Sequence, residues 1–354
     1  MYHFINHNLI SDNLSKNWQS FYRKYNKTYF SSLNPRLGQI ETPIEMLVPN
    51  KLIIPSYDSS FNKSFQDITD QTALDLKNKI NQTGNPAVIL YSGGIDSTLI
   101  VASIIKNFDC NEFNLINIIL TQDSIKENPE FYTRFILPNF NILSFNDYNL
   151  DDLFDLNYII VTGIGGDEIF GPQFPEYTIR FFRDSINEPY KQYQNDIKRY
   201  FSISADEEFG DWIYNQIDAN ISEVSIPIES IFDFFWWKNF NLKCTSMALT
   251  NLVMHSTVDA KKGLDQLNHW FLNQDYQLWG MARNEVKTQF EPLIHKLPAK
   301  QYIYDLDKNY IYYKYKIKIS SFSLVYPENN KVFALDQNYK RITWAEYLDR
   351  QKNI

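Results

Sequence analysis

Cysteine is scarce in this chain. Two cysteines, Cys110 and Cys244, occur among 354 residues, which is too few for a disulfide framework or a cysteine-rich metal cluster. The N-terminal residues also lack a basic segment followed by an apolar one. No later stretch offers the roughly 18 uncharged apolar residues of a membrane-spanning helix. We therefore expect a cytoplasmic protein with reduced thiols and no membrane partner.

Positive charge is also in short supply. The chain holds 34 Lys and Arg against 42 Asp and Glu, which gives a formal net charge of -8. Because binding to a phosphate backbone depends on clustered Lys and Arg, this balance argues against nucleic acid as the main partner. Hydrophobic residues make up 44% of the chain, as in globular proteins. The length favours two lobes over one.

A phosphate-binding loop is predicted where an apolar run meets a helical pattern. Residues 86–91 are short, apolar and partly β-branched, as expected of a strand buried on both faces of a parallel sheet. Gly93 and Gly94 then break the run, and they let the backbone turn sharply and approach a ligand. Residues 95–106 follow with helical periodicity. The first N–H groups of such a helix attract phosphate.

The side chains of this loop suit a nucleotide. Asp96 can hold a divalent cation, and the hydroxyl groups nearby can donate to phosphate oxygens. The order Ser-Gly-Gly-Ile-Asp-Ser lacks the Gly-Lys-Ser/Thr ending of a Walker loop. It resembles instead the PP-loop of ATP pyrophosphatases, which cleave ATP between the α and β phosphates. The nucleotide contacts that this resemblance implies are Leu90, Ser92, Gly93, Gly94, Asp96, Ser97 and Thr98. An ordinary strand-turn-helix joint is the alternative.

Strand and helix patterns alternate around the loop. A helix is predicted between Ser64 and Gly84, strands are predicted at 115–121, 141–145 and 157–162, and a helix is predicted at 129–137. This alternation predicts an α/β protein with an open parallel sheet and flanking helices. Ligands of such sheets bind beyond the carboxyl ends of the strands. We therefore expect both glycine-rich loops of the chain at one edge of the sheet.

The second glycine-rich loop narrows the resemblance. Residues 162–171 read Thr-Gly-Ile-Gly-Gly-Asp-Glu-Ile-Phe-Gly. They resemble the Ser-Gly-Glu-Gly-Ser-Asp-Glu-Leu-Phe-Gly segment of the asparagine synthetase family, and their separation from the PP-loop is similar. The resemblance implies that Gly163 approaches the adenosine and that Asp167 joins Asp96 in holding Mg²⁺ on the pyrophosphate. A glycine turn capped by acidic residues at a helix start is the alternative.

Two departures from the family pattern concern the substrate. Ile164 stands where the family has an acidic residue, and Pro172-Gln173 stands where it has Gly-Tyr. The departures imply that the substrate side of the pocket differs from that of asparagine synthetase.

The later residues resemble the family less. Residues 231–237 form an aromatic stripe, which we interpret as core. The family's Glu-x-Arg-x-Pro-Phe-Leu-Asp segment is matched best by residues 285–292, which implies that Glu285 lies near an acyl-adenylate. A solvated helix glutamate is the alternative. The family also uses a late lysine to neutralise pyrophosphate, and Lys316 is the candidate adopted, although spacing does not rank Lys308, Lys314, Lys316 and Lys318. A half-exposed strand explains these lysines equally well.

Three segments follow from these patterns. Residues 1–65 are predicted as an N-terminal arm or small β region, residues 66–175 as the PP-loop ATP pyrophosphatase core, and residues 176–354 as a mostly helical substrate lobe. The resemblance implies an adenine nucleotide alpha hydrolase-like fold. An N-terminal glutaminase domain is expected to be absent, because that domain starts with a cysteine after Met1 and this chain has Tyr2.

The expected function is an ATP-dependent carbon-nitrogen ligase. The resemblance implies that ATP and Mg²⁺ serve to adenylate a small carboxylate, and that ammonia or an amine then forms an amide. Three alternatives remain open. The first is the synthetase subunit of a two-chain amidotransferase with a separate glutaminase partner. The second is a PP-loop enzyme that modifies tRNA or nucleosides, and the third is a non-catalytic nucleotide-binding protein.

Overall fold

The structure, a computed structural model, divides the chain into two compact units. It describes residues 2–5, 34–41, 46–144, 150–171, 181–182, 184–203, 206–254, 259–282, 296–316, 332–343, 346 and 349. The sheet unit comprises residues 58–166 and 262–326, and the aromatic unit comprises residues 1–57, 167–261 and 327–354. Each unit thus draws on segments distant in sequence, whereas the predicted segments were contiguous.

The described elements are short strands and helices of moderate length. The strands are β1 Tyr2–Ile5, β2 Ala87–Leu90, β3 Ile116–Leu120, β4 Asn141–Ser144, β5 Ile159–Thr162, β6 Leu267–His269, β7 Val332–Asp336 and β8 Arg341–Thr343. The α-helices are α1 Phe65–Thr83, α2 Ile95–Asn107, α3 Gln122–Glu127, α4 Pro129–Phe131, α5 Leu150–Asp155, α6 Gly166–Phe170, α7 Gln194–Ser202, α8 Glu207–Ser222, α9 Ile231–Trp237, α10 Cys244–Met254, α11 Ala260–Gln266, α12 Gln274–Ala282, α13 Leu297–Asp307 and α14 Tyr310–Tyr315. None of these helices has the length and apolar character needed to cross a membrane.

Five parallel strands form the sheet of the sheet unit. Their order is β4-β3-β2-β5-β6, so the predicted α/β class with an open parallel sheet and flanking helices is confirmed. The central strand is β2, in which Ala87 pairs with Ile116 of β3 on one side and with Ile159 of β5 on the other. Because β3 and β4 lie to one side of β2 and the later strands to the other, the strand order reverses between β2 and β5.

The strand predictions hold for four of the five strands. β2, β3, β4 and β5 fall within the predicted runs. The apolar side chains on which the predictions of β2, β3 and β5 depended are almost wholly buried. The strand β6 was not predicted, because three residues carry no readable period. It pairs in parallel with β5, with Leu267 opposite Ile160, and it comes from the segment interpreted as a helical lobe.

The helices beside the sheet show the expected spacing. α1 buries Ile68, Ala73, Leu76 and Ile80, which confirms the helical prediction for this segment. Ser64 caps α1 by accepting a hydrogen bond from the Asp67 N–H, a common way to satisfy the first turn of a helix. α2 contacts both α1 and α13, and its apolar residues are almost entirely buried.

The aromatic unit is built around α9. All seven residues of α9 are buried, so the interpretation of residues 231–237 as core is confirmed. Phe235 lies 5.6 Å from Phe182, ring centroid to centroid. Trp237 donates its indole N–H to the Asn220 side-chain oxygen at 2.8 Å, which satisfies a buried polar group as a core requires. The same unit holds a three-stranded antiparallel sheet in the order β1-β7-β8.

Candidate functional site

The loop between β2 and α2 lies at the carboxyl edge of the parallel sheet. It begins after Leu90, which is half-buried, and residues 163–165 follow β5 at the same edge because β2 and β5 are parallel neighbours. The two loops also touch, since a Cβ on Gly163 would lie 3.0 Å from the Asp96 Cβ. The predicted meeting of the two loops is therefore confirmed. Sheets of this class bind their ligands where the strand order reverses.

Gly93 fixes the turn of the first loop. Its φ of +75° lies in the left-handed region that favours glycine. A Cβ at this position would lie 2.5 Å from the Glu127 Cβ, and it would come closer still to the Ser124 carbonyl oxygen. The loop backbone therefore rests directly on the end of α3. Both its conformation and its closeness to α3 require glycine at position 93.

Hydroxyl groups hold the loop in shape. The Oγ atoms of Ser92 and Ser97 lie 3.2 Å apart, and the Gly94 N–H donates to Ser92 Oγ at 3.3 Å. Thr98 is buried, and its Oγ1 lies 3.4 Å from the hydroxyl of Tyr91. The N–H groups of the first turn of α2 have no acceptor within the helix, as in every α-helix. The loop thus presents hydroxyl and backbone N–H donors at a helix start.

Asp96 in the first turn of α2 is paired with a lysine. Lys296 Nζ donates to Asp96 Oδ1 at 2.7 Å and to Oδ2 at 2.5 Å. The Lys296 side chain is 2% exposed and that of Asp96 is 22% exposed. The carboxylate lies against Gly166, where a Cβ would be 2.6 Å from Asp96 Oδ1. Because a buried charge without a partner is costly, each of the two groups stabilises the other.

A second buried ion pair lies beside Gly93. Lys316 Nζ pairs with the Glu127 carboxylate and donates to the Glu127 carbonyl oxygen at 3.0 Å. Both side chains are almost fully buried. Because Glu127 packs against Gly93, this pair places a lysine charge close to the loop.

Of the four late lysines, three are described and they differ in burial. Lys316 is buried, whereas Lys308 and Lys314 are exposed, and Lys318 lies outside the described residues. The half-exposed strand considered for this segment is wrong for residues 310–315, which form α14. Burial therefore separates Lys316 from the other two described lysines, although spacing does not.

A third buried lysine lies one turn beyond Lys296. Lys300 on α13 is fully buried. Burial, together with the positive charge of Lys316, lowers the pKa of Lys300 to about 8. The sheet unit thus buries three lysines, of which Lys296 and Lys316 pair with carboxylates.

The roles of two predicted site residues stay predictions. Glu285 lies outside the described part of the chain, together with the rest of residues 285–292. Asp167 belongs to the aromatic unit and Asp96 to the sheet unit, so their joint metal site stays a prediction. Across the described residues, no three His, Cys, Asp or Glu side chains form a group that would hold a metal ion.

Several residues of the site were missed at the level of sequence. They are Glu127, His269, Lys296 and Lys300. His269 supports the second loop, because its Nδ1 lies 2.8 Å from Thr162 Oγ1, which accepts a hydrogen bond from the Ile164 N–H. The sequence signal that could have found Lys296 and Lys300 is their spacing, since residues four apart lie on one face of a helix.

Magnesium fits this loop by its donor chemistry. Mg²⁺ is usually bound through one or two carboxylates together with substrate phosphates and water. Asp96 supplies such a carboxylate at the start of a helix that favours phosphate. Both of its oxygens accept hydrogen bonds from Lys296, so a metal ion at Asp96 has to compete with that ammonium group.

Comparisons with known proteins add no family to this description. The chain matches no protein-family model, and no curated protein matches it. The chemistry of the site therefore rests on its own residues and on the resemblance of its two loops.

We predict that Gly93→Ala unfolds or displaces the loop, whereas Gly94→Ala does not. A methyl group at position 93 meets the backbone of α3, which cannot move aside, and it also forces a left-handed conformation. We expect a loss of about 2 kcal/mol or more in the free energy of unfolding. At Gly94 the nearest atom is the Ser92 Oγ at 3.3 Å, and we expect a loss of about 1 kcal/mol or less. Urea denaturation of both variants checks this, and equal losses would contradict the assigned packing.

We predict a pH-dependent stability contribution from Lys300. Its pKa in the folded protein is about 8, and in the unfolded chain it is ordinary, about 10.4. Between these values the unfolded chain binds more protons, so this contribution to the free energy of unfolding rises with pH. Unfolding of the wild type and of Lys300→Met at about pH 7 and about pH 10 measures it. The wild type should gain stability relative to the variant at the higher pH, and a constant difference would contradict the shift.

Proposed function

We propose that the sheet unit has the PP-loop, adenine nucleotide alpha hydrolase-like fold and binds ATP at the loop between β2 and α2. The observation that carries this proposal is the position of the loop. It follows the central strand where the strand order reverses, and a helix start there favours phosphate. The buried Lys316, which pairs with Glu127 beside Gly93, is a further proposed contact of the anionic ligand.

The reaction that we propose is amide formation with release of AMP. A carboxylate is a poor electrophile, and its attack on the α-phosphate of ATP converts it to an acyl-adenylate and releases pyrophosphate. Ammonia or an amine then attacks the acyl carbon, and AMP leaves. The protein has to hold the carboxylate in line and to stabilise the charge that develops on pyrophosphate. This is asparagine synthetase-like chemistry.

We assign these tasks to the residues of the two loops and to Lys316. The loop N–H groups and the hydroxyl groups of Ser92, Ser97 and Thr98 orient the phosphates, and Leu90 and Gly163 border the adenosine. Asp96, with Asp167, is the proposed ligand of Mg²⁺, which when bound neutralises charge on the pyrophosphate. Lys316 adds a positive charge that needs no metal.

The second substrate is ammonia or an amine. The amine loses a proton as it attacks, and Glu285 is the proposed acceptor of that proton. The acyl substrate is a small carboxylate, and the nitrogen comes from ammonia, from an amine or from a separate glutaminase partner. If Glu285 has this role, the variant Glu285→Gln loses activity and still binds ATP.

Non-catalytic nucleotide binding is the second candidate function. Lys296 occupies both oxygens of Asp96, and a protein that only binds nucleotide has no need to free that carboxylate for a metal. The two candidates differ in pyrophosphate chemistry, because a binding protein does not form an acyl-adenylate.

We predict that the chain exchanges labelled pyrophosphate into ATP when magnesium and its carboxylic acid are present. A panel of acids beginning with aspartate identifies the acid. Asp96→Ala and Asp167→Ala should each lower exchange by about 100-fold or more. Each variant lacks a proposed ligand of the Mg²⁺ that stabilises the charge on the pyrophosphate. Asp123→Ala is the matched control, since Asp123 is an exposed carboxylate of the sheet unit.

Circular dichroism has to show that these variants remain folded. Full exchange by either Asp96→Ala or Asp167→Ala would refute the metal assignment. ATP binding with no exchange for any acid and no AMP formed in cell extract would favour the non-catalytic candidate.

We predict that Lys316 acts on the nucleotide as well as on Glu127. Lys316→Met leaves Glu127 buried without its partner, and this alone destabilises the protein. The double variant Glu127→Gln/Lys316→Met removes both charges and should restore folding. If Lys316 neutralises pyrophosphate, exchange stays lowered by about 10-fold or more in the double variant. Recovery of exchange together with stability would show that Lys316 has a purely structural role, and Lys314→Met serves as the exposed-lysine control.

A further inference from the structure

The Lys296 ammonium group contacts the Asp96 carboxylate where the proposed metal ion would bind. Its Nζ contacts both carboxylate oxygens, at 2.7 Å and 2.5 Å. The lysine side chain is buried, whereas the carboxylate is 22% exposed. Asp96 is therefore accessible to a ligand from solution while its charge is already neutralised from within the unit.

The backbone of Lys296 is left-handed. Its φ of 58° and ψ of 35° are left-handed, a conformation that costs energy for any residue with a Cβ and that glycine or asparagine adopts more easily. Non-glycine residues held in this region often mark functional sites. Position 296 thus keeps a lysine where the backbone alone favours another residue.

The same helix provides a natural comparison. Lys308 follows the last residue of α13, has a φ of 56° and a left-handed conformation like that of Lys296, and is exposed. The described contact of its Nζ is with the Tyr304 ring, 5.5 Å from the centroid. Lys296 and Lys308 therefore share residue type, backbone conformation and helix, and they differ in burial and in the carboxylate contact.

A divalent cation and the Lys296 ammonium cannot both keep this carboxylate. A metal ion bound to an Asp96 oxygen would lie close to the ammonium, and like charges at such a distance repel each other. Lys296 also has little freedom to withdraw along the chain, because its carbonyl oxygen accepts the Lys300 N–H at 3.0 Å in the first turn of α13. We therefore consider a movement of the lysine side chain.

We infer that Lys296 is an internal competitor of the divalent cation for Asp96. Metal binding at this loop then requires the ammonium to leave the carboxylate, and the apparent metal affinity is lowered by the fraction of molecules in which the pair is closed. The inference rests on the proposed function, in which Asp96 is a metal ligand. Lys296 thereby sets the metal affinity of the loop in the nucleotide-free protein.

The test is a titration of the nucleotide-free protein with Mn²⁺, followed by electron paramagnetic resonance. Lys296→Asn removes the ammonium and suits the left-handed backbone. Lys308→Asn is the matched control, and Lys296→Arg keeps the positive charge. We expect Lys296→Asn to bind Mn²⁺ about 10-fold more tightly than the wild type, as release of a pair closed in about nine molecules of ten would give. Lys308→Asn and Lys296→Arg should bind as the wild type does.

A second measurement uses the unmodified protein, in case Lys296→Asn does not fold. Lysine acylation read by mass spectrometry should show a rise in the reactivity of Lys296 when saturating Mg²⁺ is added, while Lys308 stays constant. Equal Mn²⁺ affinity of folded Lys296→Asn and wild type, or unchanged Lys296 reactivity under saturating metal, would overturn the inference and leave ATP binding intact. Absence of Mn²⁺ binding from every variant would overturn the inference, whereas the metal role of Asp96 with bound nucleotide is tested separately by the pyrophosphate exchange of Asp96→Ala.

Discussion

The neutralisation of buried charge around one helix start is the constraint on which the sheet unit depends. Asp96 at this helix start pairs with Lys296, and Glu127, which packs against Gly93, pairs with Lys316. Loss of one partner from either pair leaves a charge that the interior cannot solvate. The same charges that fix the loop are the ones that an anionic ligand or a metal ion would meet. Stability and ligand binding are therefore coupled at this point.

The sheet explains why these charges converge. The apolar strands β2, β3 and β5 are buried, and their parallel order brings the loops after β2 and β5 together. α3 follows β3 and packs against Gly93, and α13 packs against α2. Charged residues far apart in sequence thereby meet at one edge, as is usual for α/β sheets.

Local patterns made most of this sheet predictable. The strand runs, the glycine turn at Gly93 and the contact between the two loops follow from side-chain pattern and from the geometry of parallel strands. β6 escaped prediction because it is three residues long and its partner β5 is distant in sequence. Lys296 escaped because its partner is 200 residues away, and an isolated lysine in a sequence is usually a surface residue. Long-range pairs of this kind leave no periodic signal. The roles of Asp167 and Glu285 stay predictions.

The most direct test of the central claim is the identity of the nucleotide products. Phosphorus NMR of a reaction that holds ATP, Mg²⁺, the chain and cell extract distinguishes cleavage between the α and β phosphates from cleavage between β and γ. The account predicts AMP and pyrophosphate, formed by the wild type and lost in Asp96→Ala. Formation of ADP and phosphate by the chain, or AMP formation that Asp96→Ala leaves unchanged, would contradict it.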